Sequence, residues 1–227
     1  MTLREFRRRL RKISARGYVQ SRRGSDTGIG YTLEGLLGIR ENNIRFPDLG
    51  RIELKSKRRN TTSNVTLFTF NRGVWRISQF EAIRKYGYRD NKRRQALKCT
   101  VTIRSNPQGL RLSVSESALT LRHTGAQIAV WPSSTLMEYF LRKIPALILV
   151  IADARWIGRS EEFHYNEAYL LQNPTKRRVF NLLRRKRLVV DLRMHLNPNG
   201  QVRNRGTAFR ISEQDLARCF GTRRRLL

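Results

Sequence analysis

Apolar residues recur at helical spacing at Leu3, Phe6, Leu10 and Ile13, which predicts an amphipathic helix over residues 3–13. Its other sides carry Arg4, Arg7, Arg8, Arg9, Arg11 and Lys12. The plainest reading is a surface helix with a solvated basic side. A DNA-flanking helix and an organelle presequence are the alternatives. Leu33, Leu36 and Leu37 predict a shorter helix over residues 32–39. On that helix Glu34 falls about 105° from the centre of the apolar face, at the boundary where a side chain can look into a cleft. From Ile52 the period changes to two. Ile52 and Leu54 point to one face of a strand, Glu53 and Lys55 to the other. Pro47 and Gly50 mark the turn before it, and Asp48 lies in that turn.

Further along, residues 65–70, Val-Thr-Leu-Phe-Thr-Phe, are strand-forming types and predict a second strand beside the first. Residues 78–85 read as a helix with Phe80 and Ile83 inward. Residues 98–104 and 110–114 flank a turn-forming stretch and read as a β-hairpin. A strand at 127–131 leads into a helix opened by Pro132 and Ser133, with Leu136, Met137, Phe140 and Leu141 on its core face. Residues 146–152 form an unbroken apolar run, the mark of a central strand. Residues 176–186 are helical, with Val179, Leu182 and Leu183 inward. Residues 189–196 give a two-faced strand: Val190, Leu192, Met194 and Leu196 pack, while Val189, Asp191, Arg193 and His195 face away. A turn at 197–200 sends the chain back along 202–211, making a two-stranded ribbon. Ser212 and Asp215 suit the cap of a last helix. The run Arg223-Arg224-Arg225 is expected to be a disordered tail.

At 227 residues the chain can bury a core of ordinary size. It has 47 Lys plus Arg against 17 Asp plus Glu, a formal charge of +30. That excess implies a polyanionic partner, nucleic acid first and an anionic membrane surface second. The longest apolar run, 146–152, is too short to span a bilayer. Cys99 and Cys219 form no CxxC, and His123, His164 and His195 are scattered, which argues against a zinc site or a disulfide scaffold. With no apolar signal core, the expected setting is intracellular and cytoplasmic. Two short features stay open. Gly28 and Gly30 read as a turn or as a backbone approach to phosphate. Residues 86–94, basic and interleaved with tyrosines, read as a phosphate-gripping loop or as an ordinary solvated one.

The chemistry gathers at residues 46–57. Two carboxylates and an ammonium at one strand make poor core material, since unpaired buried charge is expensive. They suit a hard cation that takes a few carboxylate oxygens and keeps waters. So short a pattern also fits a surface salt-bridge cluster. Its neighbourhood is more specific. Pro47-Asp48 followed by Glu53-Leu54-Lys55 reads as the PD-(D/E)xK nuclease signature. Gly28-Ile29-Gly30-Tyr31-Thr32-Leu33-Glu34 lies upstream, Leu67-Phe68-Thr69 downstream, and Gly206-Thr207-Ala208-Phe209-Arg210-Ile211 near the end. In this order the set resembles the MvaI/BcnI group of type II restriction endonucleases, relatives of the MutH repair nickase. The resemblance covers roughly residues 20–215 and is concentrated in these patches.

The resemblance implies an α/β fold of the restriction-endonuclease, MutH-like type: a mixed central β-sheet flanked by helices, in two lobes around a DNA-binding cleft. Residues 1–125 would be mainly catalytic and 126–227 mainly DNA-recognising, one continuous domain being the alternative. It implies Mg²⁺-dependent hydrolysis of double-stranded DNA at a short, CC-x-GG-like site, with Mn²⁺ as a substitute, leaving 5′-phosphate and 3′-hydroxyl ends. Asp48, Glu53 and the Leu54 carbonyl would hold the metal. Lys55 would position the attacking hydroxide or neutralise the transition state, and Glu34 would be an outer ligand or would help a second metal. The enzyme would work as a monomer, alongside a companion DNA methyltransferase in its host. For base reading the candidates are Arg193, Arg203, Asn204, Arg205 and Arg210, because a β-ribbon fits the major groove and arginine grips guanine through two parallel hydrogen bonds. The chain departs from its relatives here: Arg203 and Arg205 stand where histidines are typical. Two rival readings remain at this point, a MutH-like nickase and a non-catalytic basic protein that coats nucleic acid.

Overall fold

The computed structural model describes residues 1–25, 27–39, 43–46, 49–59 and 64–227. In chain order its elements are α1 (Leu3–Ser14), β1 (Val19–Gln20), α2 (Gly28–Leu37), β2 (Asn43–Phe46), β3 (Gly50–Arg58), β4 (Val65–Thr69), α3 (Gln79–Tyr86), β5 (Tyr88–Arg89), β6 (Gln95–Val101), β7 (Leu110–Val114) and β8 (Ala118–His123). There follow β9 (Ala126–Pro132), α4 (Ser133–Lys143), β10 (Ala146–Ile157), β11 (Ser160–Pro174), α5 (Lys176–Arg184), β12 (Leu188–Leu196), β13 (Val202–Asn204), β14 (Ala208–Ile211), α6 (Glu213–Leu216) and β15 (Phe220–Arg225). The chain forms two compact units, and they interleave. The first holds Met1–Ser63, Arg142–Pro174 and Phe220–Leu227; the second holds Asn64–Leu141 and Thr175–Cys219. The division therefore does not fall at residue 125. The apolar strand β10, late in sequence, belongs with β3 of the early chain.

The first unit is a mixed α/β layer. Its sheet runs β1-β11-β10-β3-β2, with β15 also on β11. β10 pairs parallel to β3 and antiparallel to β11, so the apolar run is central, as its composition predicts. Residues opposed across a ladder share a face. Glu53 and Lys55 lie opposite Leu147 and Leu149, while Leu54 and Ser56 lie opposite Ile148 and Val150. The second set belongs to the helix-covered face. Leu3, Phe6, Leu10 and Ile13 of α1, with Leu33 and Leu37 of α2, join Ile52, Leu54, Ile148 and Val150 in one buried cluster. Thr2 caps α1 by accepting the Glu5 N–H at 3.0 Å. α2 starts earlier than its leucines predict, because Gly28 is drawn in against the Arg23 carbonyl. A Cβ there would sit 2.4 Å from that oxygen. Gly28 and Gly30 thus belong to the first turn of a helix, not to a loop. Gly38, at φ +71°, ends it with two capping N–H bonds. The basic C-terminal stretch is no disordered tail: it is strand β15, and the Arg223 guanidinium stacks 3.6 Å from the Tyr169 ring centre.

The second unit is built on the sheet β4-β14-β12-β6-β5, with β13 on β12, beside the meander β7-β8-β9. Three expectations fail here for one reason: alternation shows that a strand exists but not which strand it meets. β4 does not join β3. It pairs with β14, where Phe68 stacks on Phe209 at 4.7 Å between ring centres. β6 and β7 do not pair as a ladder, although the Leu112 N–H donates to the Thr102 carbonyl at 2.7 Å and the Asn106 N–H to the Leu110 carbonyl at 2.9 Å between the two arms. β6 pairs with β12 and β5, and β7 pairs with β8, although the turn at Asn106–Gly109 between them does close. β12 does not have one solvated face. It lies between β6 and the β13/β14 pair with α3 and α5 packed on it, so Val189, Asp191 and His195 are buried too. On α3 Ile83 is buried but Phe80 is exposed, and on α4 Leu141 is exposed beside buried Leu136, Met137 and Phe140. Ser212 caps α6, accepting the Asp215 N–H at 3.3 Å, as its sequence predicts.

Candidate active site

β3 delivers Glu53 and Lys55 to the face opposite α1 and α2. Their side chains meet, Lys55 Nζ donating to Glu53 Oε1 at 3.0 Å. Both are largely withdrawn from water, at 17% and 14% side-chain exposure for Lys55 and Glu53. A bare ion pair this enclosed gives little net stability, because desolvation offsets the attraction.

Glu34, half-buried on α2, belongs to the same electrostatic group. Its carboxyl is held above its ordinary range, first by burial and then by the charge of Glu53, with Lys55 offsetting part of the shift. α2 is fixed around it. The Tyr165 hydroxyl donates to the Ile29 carbonyl at 2.7 Å, the Arg22 N–H donates to Thr32 Oγ1 at 2.9 Å, and Arg9 Nη1 donates to the Leu37 carbonyl at 2.8 Å. Gly30 leaves room beside this group. A Cβ there would lie 3.6 Å from Ser56 Oγ and 4.0 Å from Glu34 Oε1. Ser56 Oγ itself is buried with no hydrogen-bond partner among the described residues.

The fourth sequence candidate, Asp48, lies outside the described residues. Among those described, no group of three or more His, Cys, Asp or Glu gathers as a metal cage. Glu34 and Glu53 are two carboxylates whose charges oppose each other, and their oxygens are the hard donors that Mg²⁺ takes. A cation between them would relieve the opposition that raises Glu34. The residues present therefore fit such an ion.

Partners of β3 that sequence reasoning missed come from β10 and β11, about a hundred residues away, where no local pattern could point to them. Past the active-site pair, Arg58 forks onto Glu161, and Arg59 ties Asp153, Asn166 and Glu167 together. Tyr165, which anchors α2, is another.

In the second unit the five DNA-reading candidates separate. Arg193 turns back on its own ribbon. Its Nε donates to the Gly206 carbonyl at 3.1 Å and its Nη2 to the Arg205 carbonyl at 2.9 Å. Arg210 is bound to Asp191 at 2.6 Å and to the Asn64 carbonyl at 2.8 Å. Asn204 donates to Gln79 and accepts the Gly206 N–H. Only Arg203 and Arg205 of the five carry exposed side chains. Gly206, at φ +90°, makes the break between β13 and β14, and a Cβ there would strike the Thr69 side chain at 2.9 Å. His195 is buried beside Arg94, with 3.1 Å between its Nε2 and Arg94 Nη1. Burial, then Arg94 and Lys98, hold its pKa below the ordinary range, which favours the neutral ring. The tyrosine-flanked basic loop is ordered from within. Asp90 accepts Arg94, Lys98 and the backbone N–H groups of Lys92 and Arg94, and its carboxyl is held far below the usual range by those cations.

The whole chain is similar to known nucleases. It covers 99% of itself and 98% of the restriction endonuclease MvaI in a complex with cognate DNA substrate, at 22% identity and a TM-score of 0.78. Against the same enzyme in the absence of DNA the figures are 99%, 97%, 21% and 0.60. At that identity the likeness establishes the fold. No curated protein matches the chain. The model of the MvaI/BcnI restriction endonuclease family matches residues 7–220, and the chain belongs to that family.

Proposed function

We propose that the chain is a Mg²⁺-dependent type II endonuclease that cuts a short double-stranded DNA site to 5′-phosphate and 3′-hydroxyl ends. The observation that carries this reading is the enclosed Glu53–Lys55 pair, 3.0 Å apart, with Glu34 electrostatically coupled to it. Glu53, Asp48 and the Leu54 carbonyl would hold the metal, with Glu34 as an outer ligand. When bound, the cation supplies an acidified water and offsets charge on the scissile phosphate. Lys55 Nζ orients the attacking oxygen and stabilises the charge that develops on the phosphate. Burial keeps bulk water from screening that interaction.

In this reading the first unit cuts and the second reads. Arg203 and Arg205 are the base readers, since their side chains are exposed. Arg193, Asn204 and Arg210 shape the strand that presents them. The formal charge of +30 supports a DNA partner. No described helix is long and apolar enough to cross a membrane. The enzyme would act as a cytoplasmic monomer, its host DNA guarded by a companion methyltransferase.

The test is incubation with unmethylated phage DNA, with and without Mg²⁺, followed by sequencing of the ends. Discrete Mg²⁺-dependent fragments cut on both strands, with 5′-phosphates, are expected. Cutting of one strand only, or only of hemimethylated DNA, would convert the reading to a repair nickase. DNA that is retarded but never cut under any of these conditions would overturn it.

A further inference from the structure

The basic side of α1 and the basic strand β15 are distant in sequence and play no part in the site described above. The structure brings them together. Arg7 Nε donates to the Leu226 carbonyl at 3.2 Å, and Leu226 packs in the same buried cluster as Leu3, Phe6 and Leu10. Between them lies a concave pocket of about 680 Å³ lined by Leu3, Leu49, Arg4, Arg7, Arg8, Arg11, Lys12 and Arg224. Among the described residues that lining holds six cationic side chains and no carboxylate. Glu5, the acid of α1, is bound to Arg9 instead. Arg4 and Arg8, Arg7 and Arg11, and Arg8 and Lys12 are like-charge pairs at helical i,i+4 spacing, which destabilise a helix unless an anion neutralises them.

The register separates Arg224 of this groove from the Glu53–Lys55 pair. Arg224 lies opposite Leu170, on the α1-covered face, whereas Glu53 and Lys55 project from the other face of the same sheet. We infer that the α1–β15 groove is a second, sequence-independent binding site for the phosphate backbone of duplex DNA. It holds a segment other than the one being cut.

A nucleic acid suits the groove better than a bilayer does. Leu3, Phe6, Leu10 and Ile13 are all consumed by the core, so α1 has no apolar side left to insert among lipids. From Arg4 to Lys12 the helix rises about 12 Å. At one phosphate per roughly 3.4 Å of each strand, that row matches about three to four phosphates.

The experiment compares the parent chain with an Arg4→Gln/Arg8→Gln/Arg11→Gln/Arg224→Gln variant in EDTA. All four side chains are exposed and the buried residues of α1 are kept, so the thermal midpoint is expected not to fall, and to rise slightly as the like-charge pairs are relieved. Sedimentation with excess short duplex DNA at low salt should give two duplexes per parent chain and one per variant chain. The slope of log Kd against log salt for non-cognate duplex should fall by about 3–4 in the variant. A variant that takes as many duplexes as the parent, or an unchanged slope, would overturn the site. So would binding to anionic phospholipid vesicles that the variant loses while it keeps both duplexes. Because EDTA prevents cutting, a chain that never cleaves DNA still tests this site independently of the proposed activity.

Discussion

The strand β3 and the ribbon β12–β14 are both rich in polar side chains, yet they use them in opposite ways. On β3, Glu53 and Lys55 face each other in a shielded setting, and burial and the charge of Glu53 hold the Glu34 carboxyl above its ordinary range beside them. On the ribbon most of the polar residues hold the protein itself together. Asp191, buried, accepts Thr100 and Arg210, and Arg193 grips two carbonyls of its own chain. An arginine-rich stretch is thus weak evidence for contact with a ligand until its internal partners are known. A carboxylate left opposed to another carboxylate is stronger evidence.

Breaking the contrast at its sharpest point gives the largest effect. Lys55→Ala should lower the cleavage rate by at least about 100-fold, the scale of losing one transition-state donor. Affinity for DNA in EDTA should be retained. Retained turnover would remove Lys55 from the chemistry. Next is Arg210→Ala, which leaves the Asp191 carboxylate buried without its cation. Thermal unfolding should show a loss of about 1–3 kcal/mol. Arg205→Ala should do the reverse, leaving the midpoint unchanged while costing about 1–3 kcal/mol of discrimination at one base pair. A uniform loss of affinity across sequences would make Arg205 a phosphate contact.

A subtler effect concerns pH. Glu34 has a folded pKa above its ordinary 4.5, so the fold favours the protonated form. The stability it contributes is present below the unfolded value and is lost as pH rises through the folded one. Mg²⁺ affinity should therefore rise with pH across a window lying above 4.5. Glu34→Gln should flatten that rise in calorimetric titrations and make the metal-free chain slightly more stable near neutrality. The smallest effect expected is from Gly30→Ala, whose added methyl would meet only ordinary contacts at 3.6 and 4.0 Å. Gly28→Ala, driven to 2.4 Å from a carbonyl oxygen, should by contrast unsettle α2.

Periodicity revealed what is local. The buried face of α1, the alternation of β3 and the central place of β10 all follow from residues a few positions apart. It could not reveal partnership. The strand-forming residues of β4 suit either sheet equally well, and the aromatic stack of Phe68 on Phe209 decides. The buried second face of β12 depends on neighbours from β6 and β14, far away in the chain. That Glu53 and Lys55 share a face was legible from alternation alone, while their role as a site was read from the resemblance. Glu34 was only a boundary residue on a short helix until the resemblance singled it out. Its coupling to Glu53 depends on how Tyr165 of β11 pins α2, which no local pattern encodes.

The most direct single measurement is Mg²⁺-dependent cleavage of plasmid DNA by the parent and by Glu53→Gln, with DNA binding by both recorded in EDTA. The parent is expected to give discrete fragments. The variant is expected to bind DNA as tightly and cut none of it. Equal cutting by the two would contradict the placement of the chemistry at β3.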